Sequence, residues 1–447
     1  MKFRKSLVAI PLSMSLILPA TTTVSFAAEK PSVMTPAVEL RTTLDHLLTE
    51  HAYLAVEAMR KGAEGAKDFD ASAQALNANA DDLAKAISSV YGDEAGKQFD
   101  TIWKNHIGYF VNYVKATGAN DQAKKDEALK NLANYKNDFS KFLEKATGKR
   151  LEAASLAEGL QMHINQLIGA FDSYVAGDYD KAYKYEHEAM DHMGMVAKGL
   201  SNAITMQFPD KFNNTMAVTP AADLRSTLNH LLTEHAGLAV SAMQNGLDGS
   251  KDFQASADAL AANTDALTKA ISSVYGGDAG QQFKKMWSEH IGYFVDYTKA
   301  EAAGDQAKMD EAIKHLDNYR SEFSKFLGTA TDGRVDPTEI ANGLQTHVEQ
   351  LTGALDNYKA GNYNKEYDQI REAYAHMLNP AKGLSAAFVD QFPDKFMGNM
   401  PSQMPKTGMG GTSQQHDQVP FEWILAGLFA AAGATTLALQ KKKANQQ

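Results

Sequence analysis

There is no cysteine in the 447 residues. A disulfide framework is therefore excluded, and so is any thiolate metal site. An excess of basic charge is also missing, since the chain carries −10 at pH 7. That sign disfavours nucleic acid and anionic lipid as partners. Runs of alternating β-branched residues, the mark of half-buried strands, are absent. The common catalytic and metal motifs are missing too. No Gly-rich phosphate loop, Gly-x-Ser-x-Gly or His-Glu-x-x-His occurs. No histidine has a glutamate three residues before it, as di-iron bundles require. An enzyme is the least supported class of function, and no catalytic residue is assigned.

The two ends carry addresses. Lys2, Arg4 and Lys5 precede a short apolar run over 7–20, and Ser25-Phe26-Ala27 offers small residues for cleavage. A secretory signal peptide over 1–27 is the expectation. At the other end an apolar run begins at Phe421 and is long enough to cross a bilayer, which gives a transmembrane helix over 421–440. Lys441, Lys442 and Lys443 follow and would hold 441–447 inside as a basic cytoplasmic tail. Before the span, in a linker over 397–420, stands Met404-Pro405-Lys406-Thr407-Gly408. Pentapeptide, apolar helix and basic tail, in that order, resemble the LPXTG-type sorting signal of Gram-positive cell-wall surface proteins. Met404 stands where that family usually has leucine. The resemblance implies that a sortase cuts between Thr407 and Gly408 and joins Thr407 to peptidoglycan, after a stage in the membrane. The expected location is then the extracellular cell wall. The piece between the two cleavage points carries −14.

Between the ends one unit is used twice. Residues 35–212 align with 219–396 at a constant offset of 184, without a gap. LDHLLTEHAYLAV, beginning at Leu44, returns as LNHLLTEHAGLAV, beginning at Leu228, with changes only at Asp45/Asn229 and Tyr53/Gly237. A unit of this length is one domain rather than a solenoid repeat. Thr35-Pro36 and Thr219-Pro220 are helix starts. Breaks near Gly62–Gly65, Tyr91-Gly92, Gly118, Thr147-Gly148 and Gly177 divide the first unit into about six helices. The expectation is an all-α protein made of two tandem helical bundles, each a domain in its own right.

Histidine is where the chemistry concentrates. At 100° per residue, Leu40, Leu44, Leu47, His51, Leu54 and Ala58 form one stripe, with His51 near its centre. Phe99, Trp103, His106 and Phe110 form a second, and Leu156, Leu160, His163, Leu167 and Tyr174 a third. Three helices thus each offer one histidine from an apolar face. The second unit repeats them as His235, His290 and His347. A buried, unpaired imidazole costs roughly 1–3 kcal/mol. Two arrangements avoid that cost. Each ring has its own carbonyl or hydroxyl partner, or the three converge on one cation or haem. Imidazole suits copper, zinc and haem iron.

Other candidates stand beside these. Glu50 and Glu234 lie four residues from His46 and His230, an i,i+4 spacing that reads first as a surface pair and second as support for a metal ligand. His192-Met193 and His376-Met377 put thioether next to imidazole. Without cysteine, methionine is the only soft ligand for Cu(I) or haem. Of the six histidines in the first repeat one diverges, since His187 becomes Arg371. Trp103, Tyr109 and Tyr113 recur as Trp287, Tyr293 and Tyr297, either as core packing or as the wall of a ligand site.

Two functions compete. One is a wall-anchored protein that binds a transition metal or haem in its bundles, for storage or relay. The other is a structural or adhesive wall protein whose core histidines are internal polar pins. The tether from Phe396 to Thr407 is only about ten residues, roughly 35 Å when extended. That keeps the bundles within or close to the wall and suits the first. The helical units bear a faint resemblance to exported domains of Bacillus-type bacteria, some of which carry a copper amine oxidase label. No motif carries that likeness, and this helical chain does not share the β-rich build of copper amine oxidases.

Overall fold

The computed structural model describes residues 30–397. Among these, all regular structure is helical. The first repeat forms α1 (Pro36–Glu64), α2 (Phe69–Tyr91), α3 (Asp93–Gly118), α4 (Gln122–Ala146), α5 (Ala153–Val175) and α6 (Tyr179–Gln207). The second forms α7 (Pro220–Asp248), α8 (Phe253–Tyr275), α9 (Gly277–Ala303), α10 (Gln306–Ala330), α11 (Pro337–Lys359), α12 (Tyr363–His376) and α13 (Leu378–Gln391). The expected signal peptide, sorting pentapeptide and membrane helix lie outside the described residues. No helix among the described residues is long and apolar enough to cross a membrane.

The helix ends follow local chemistry. Thr35 Oγ1 accepts from Val38 N–H at 3.3 Å and Thr219 Oγ1 from Ala222 N–H at 3.1 Å. Each satisfies one of the orphan donors of a helix start, and Pro36 and Pro220 follow in the first turn. Gly65 and Gly249 close α1 and α7 at positive φ, where a side chain would be strained.

Within the first repeat each helix packs on the next and α6 returns to α1. α1 also touches α3 and α5, so it runs along the bundle's centre. Its one apolar stripe explains only half of its burial. The opposite face is covered by the second repeat, because α1 packs on α7, α2 on α12 and α6 on α8. Apolar side chains from both repeats, among them Tyr53, Leu54, Leu238, Met243 and Tyr374, belong to one continuous core.

The interface between repeats has a pseudo-two-fold relation. Arg41 reaches the Ala217 carbonyl and Asp223, while Arg225 reaches the Val33 carbonyl and Glu39. Each partner is the 184-residue counterpart of the other. Tyr183 donates to Asp252 at 3.0 Å, and Tyr367 to Asp68 at 3.5 Å, by the same relation. On the central contact Tyr53 lies against Gly237. A Cβ added there would sit 2.9 Å from the tyrosine ring, so only glycine allows the approach.

One element departs from the repeat. α6 is continuous, whereas its counterpart is broken into α12 and α13 at Met377. Pro380 stands where the first repeat has Val196. Proline has no N–H to give the carbonyl four residues back, and its ring clashes there. That carbonyl belongs to His376, the last residue of α12.

Candidate metal centre

α1, α3 and α5 bring His51, His106 and His163 together in the first bundle. α7, α9 and α11 do the same with His235, His290 and His347. In each triad one ligand atom per ring lies within 4.8 Å of the others. The His51 ring centre is 5.3 Å from that of His106 and 5.9 Å from that of His163. In the second triad the corresponding distances from His235 are 5.4 and 5.9 Å. Nε2 of His290 and Nε2 of His235 are 3.4 Å apart. Two ligands on one tetrahedral ion with bonds of about 2.0–2.1 Å would be about 3.3 Å apart.

The six rings are sealed from solvent, none being more than 5% exposed. Neither nitrogen of His51 or of His163 has a hydrogen-bond partner, nor does Nδ1 of His235 or His347. The rings of His106 and His290 lie near the carbonyls one turn back, of Trp103 and Trp287, though Nδ1 of neither reaches hydrogen-bond geometry. That carbonyl is the natural partner of the Nδ1 proton, which leaves Nε2 with its lone pair toward the triad. Trp103 Nε1 and Tyr135 hydroxyl, both beside His106, are also without partners, as are Trp287 Nε1 and Tyr319 hydroxyl. The Trp103 ring lies 4.8 Å from His51, and the Tyr135 ring stacks on His106 at 4.7 Å.

Burial is the main force on these imidazoles, and their mutual repulsion is the second. It pushes His106 and His290 down to about 3, with His163 and His347 as the respective neighbours. His51, His163, His235 and His347 are driven well below the usual range for the same first reason. All six are neutral at pH 7, so protons do not compete for their lone pairs.

Beside the first triad is a cavity of about 20 Å³, lined by His51, His106, Met59, Phe110 and other apolar side chains. It has room for something the size of a water molecule. Met59 was not singled out from sequence. Its signal was retention, since Met243 stands at the equivalent position.

The secondary candidates fall in two places. His192 and Met193 are buried, and His192 lies close enough to His163 to push it down further. His376 is half-buried and contacts the Gly343 carbonyl at 2.9 Å, while Met377 is buried. Met162, adjacent to His163, is 48% exposed and points away. His46, Glu50, His230 and Glu234 lie at the interface between the repeats. The expectation of a surface pair fails there, because Glu50 is 1% and Glu234 2% exposed. The second repeat covers the polar face of α1, and the first covers that of α7, which one unit's periodicity could not reveal.

At that interface the two halves differ. Glu50 takes two hydrogen bonds from Arg371, each 3.1 Å, and one from Asn79 at 2.7 Å. Glu234 takes the equivalent bond from Asn263 at 2.7 Å, but its cation is His187, with Nδ1 2.5 Å from Oε1. Glu234 is the leading cause that raises His187 to about 10.

Comparison of the chain with family models, with curated proteins and with solved structures gave no match.

Proposed function

We propose that each bundle holds one transition-metal ion on its three core imidazoles, and that the protein stores or relays this metal in a Gram-positive cell wall. The observation that carries the reading is the convergence of three buried, neutral imidazoles, twice, with most of their nitrogens lacking any protein partner. Separate structural roles would give each ring its own acceptor. Such acceptors are missing among the described residues except for the Trp103 and Trp287 carbonyls.

The site's charge narrows the metal. No carboxylate belongs to either triad. Three neutral donors in apolar surroundings leave the ion's charge uncompensated, and the cost of burying charge rises with its square. Cu(I) therefore suits the triads better than Zn(II), and Met59 supplies a soft neighbour to the first, with Met243 at the equivalent sequence position of the second repeat. An ion suits the spacing better than haem does. A porphyrin would need a slot between rings that approach within 4.8 Å. Wall anchoring through Thr407 rests on the ordered signal at 404–443.

The test is metal analysis of full-length protein exposed to Cu(I) under reducing conditions. Two tightly held equivalents are expected, falling to one in His106→Ala. Binding that is absent, or indifferent to His106, His163 and His347, would return the histidines to a structural role.

A further inference from the structure

We infer that the interface between the repeats contains a third metal site, chemically unlike the core triads, which binds one divalent cation of the zinc class through His187, His230 and Glu234, with Asp191 beside it.

The donors come from two helices of different repeats. α6 supplies His187 and Asp191, four residues apart on one face, and α7 supplies His230 and Glu234 in the same spacing. One ligand atom each from His187, His230 and Glu234 lies within 4.8 Å of the others. Asp191 stands beside this group, with Oδ1 2.8 Å from His230 Nε2 and Oδ2 3.4 Å from His187 Nε2, the ring nitrogen that does not face Glu234. The His187 and His230 ring centres are 6.2 Å apart. Neither nitrogen of His230 meets hydrogen-bond geometry, despite the nearby carboxylate. Asn263 holds Glu234 in place from α8, donating to Oε2 at 2.7 Å and to the Leu231 carbonyl at 2.9 Å. Two imidazoles and one carboxylate are a donor set for a divalent first-row ion, with a position left for water. Glu234 and the nearby Asp191 offset its charge, which no core triad can do.

The pseudo-equivalent position supplies an independent observation. There the same buried glutamate, Glu50, is met by Arg371 in place of His187. The arginine also reaches Asp82 at 2.9 Å. One half of the interface therefore carries a built-in cation between two carboxylates. The other half lacks the second of these carboxylates, since Ala266 stands where Asp82 would be, and has Glu234 and Asp191 around imidazoles that can hold an external cation once His187 releases its proton. Ala375 stands where Asp191 would be, and His46 keeps company with arginine, so the first-repeat side cannot form the same set. The site is single. Because its ligands come from both repeats, a bound ion would clamp them together.

Stoichiometry tests this on the unaltered protein. The core triads are a matched pair, so they contribute two zinc equivalents or none. The interface contributes one. Full-length protein, stripped by chelator and titrated with Zn²⁺ alone, should bind an odd number: three if the triads accept zinc, one if they do not. An even number overturns the inference, whatever becomes of the triads. His187→Arg copies the opposite half and should remove one equivalent with helical content unchanged. Asp191→Ala copies Ala375 and should weaken that equivalent by roughly tenfold or more. Retention of the full stoichiometry and affinity in both variants would also overturn it.

Discussion

Replacing His51 with leucine separates a metal ligand from a structural pin. In the metal-free protein both ring nitrogens of His51 are buried without partners. Leaving such groups unsatisfied costs about 1–3 kcal/mol. Leucine is similar in volume and has no polar atoms, and it faces apolar neighbours on the stripe of α1. His51→Leu should therefore raise the stability of metal-free protein by about 1–3 kcal/mol. Metal reverses the order. At a free concentration about a hundredfold above Kd, each occupied site stabilises the fold by about 2.7 kcal/mol. The variant forgoes this at one site of the two triads. Urea unfolding followed by far-ultraviolet circular dichroism, with and without Cu(I), reads both numbers. The two stability curves should cross as metal is added. A metal-free variant less stable than wild type would refute the reasoning, since it would mean that His51 contributes a net favourable interaction of its own.

Three further outcomes are expected. Below the ordinary imidazole value of 6.5, the unfolded chain takes up a proton that folded His106 refuses until about pH 3, so falling pH favours unfolding. Metal-free wild type should lose stability relative to His106→Leu by about 1.4 kcal/mol per pH unit between 6.5 and 3, and a flat difference in pH-dependent urea titrations would show the imidazole to be protonated in the fold. Val196→Pro should impose on α6 the break seen between α12 and α13, at a cost of about 3 kcal/mol or more, because Val196 lies inside a continuous helix; unchanged thermal unfolding would mean that the break has another cause. Thr407→Ala should leave the protein in membrane or medium rather than in wall digests, and unchanged covalent linkage to peptidoglycan would remove the proposed anchoring.

Much of the fold was legible because it is written locally. Threonine-proline starts and glycine stops placed the helix ends of the first repeat within a few residues. The period of leucine and aromatic residues placed His51, His106 and His163 on inward faces, and three inward histidines in one bundle have few places to go. Three features escaped. The break at Met377 follows from Pro380, one of many substitutions that separate α12 and α13 from α6. The small cavity with Met59 depends on packing between α1, α2 and α3, which spacing along one helix does not report. The interface cluster was hidden for a different reason. Glu50 and Glu234 sit on what is, for one bundle, the polar face, and only the partner repeat converts that face into interior.

That interface nevertheless left a trace in the sequence, in the pattern of divergence. Tyr53 donates to the carbonyl of Gly237 at 3.3 Å, and Ser241 to the carboxylate of Glu57 at 2.9 Å. Each pair is separated by 184 residues, so each residue touches its own counterpart. Such contact is possible only near the pseudo-two-fold axis. Identical copies there would set tyrosine against tyrosine in a space that admits no Cβ, and carboxylate against carboxylate in the interior. The first is a steric conflict and the second a buried like-charge pair. Both are relieved by making one member of the pair small or neutral. Positions inside the bundles meet no such conflict, because each triad is built wholly within its own repeat. Hence His51, His106 and His163 return unchanged, while the face that joins the repeats differentiates into one half closed by Arg371 and one half that keeps His187, His230, Glu234 and Asp191.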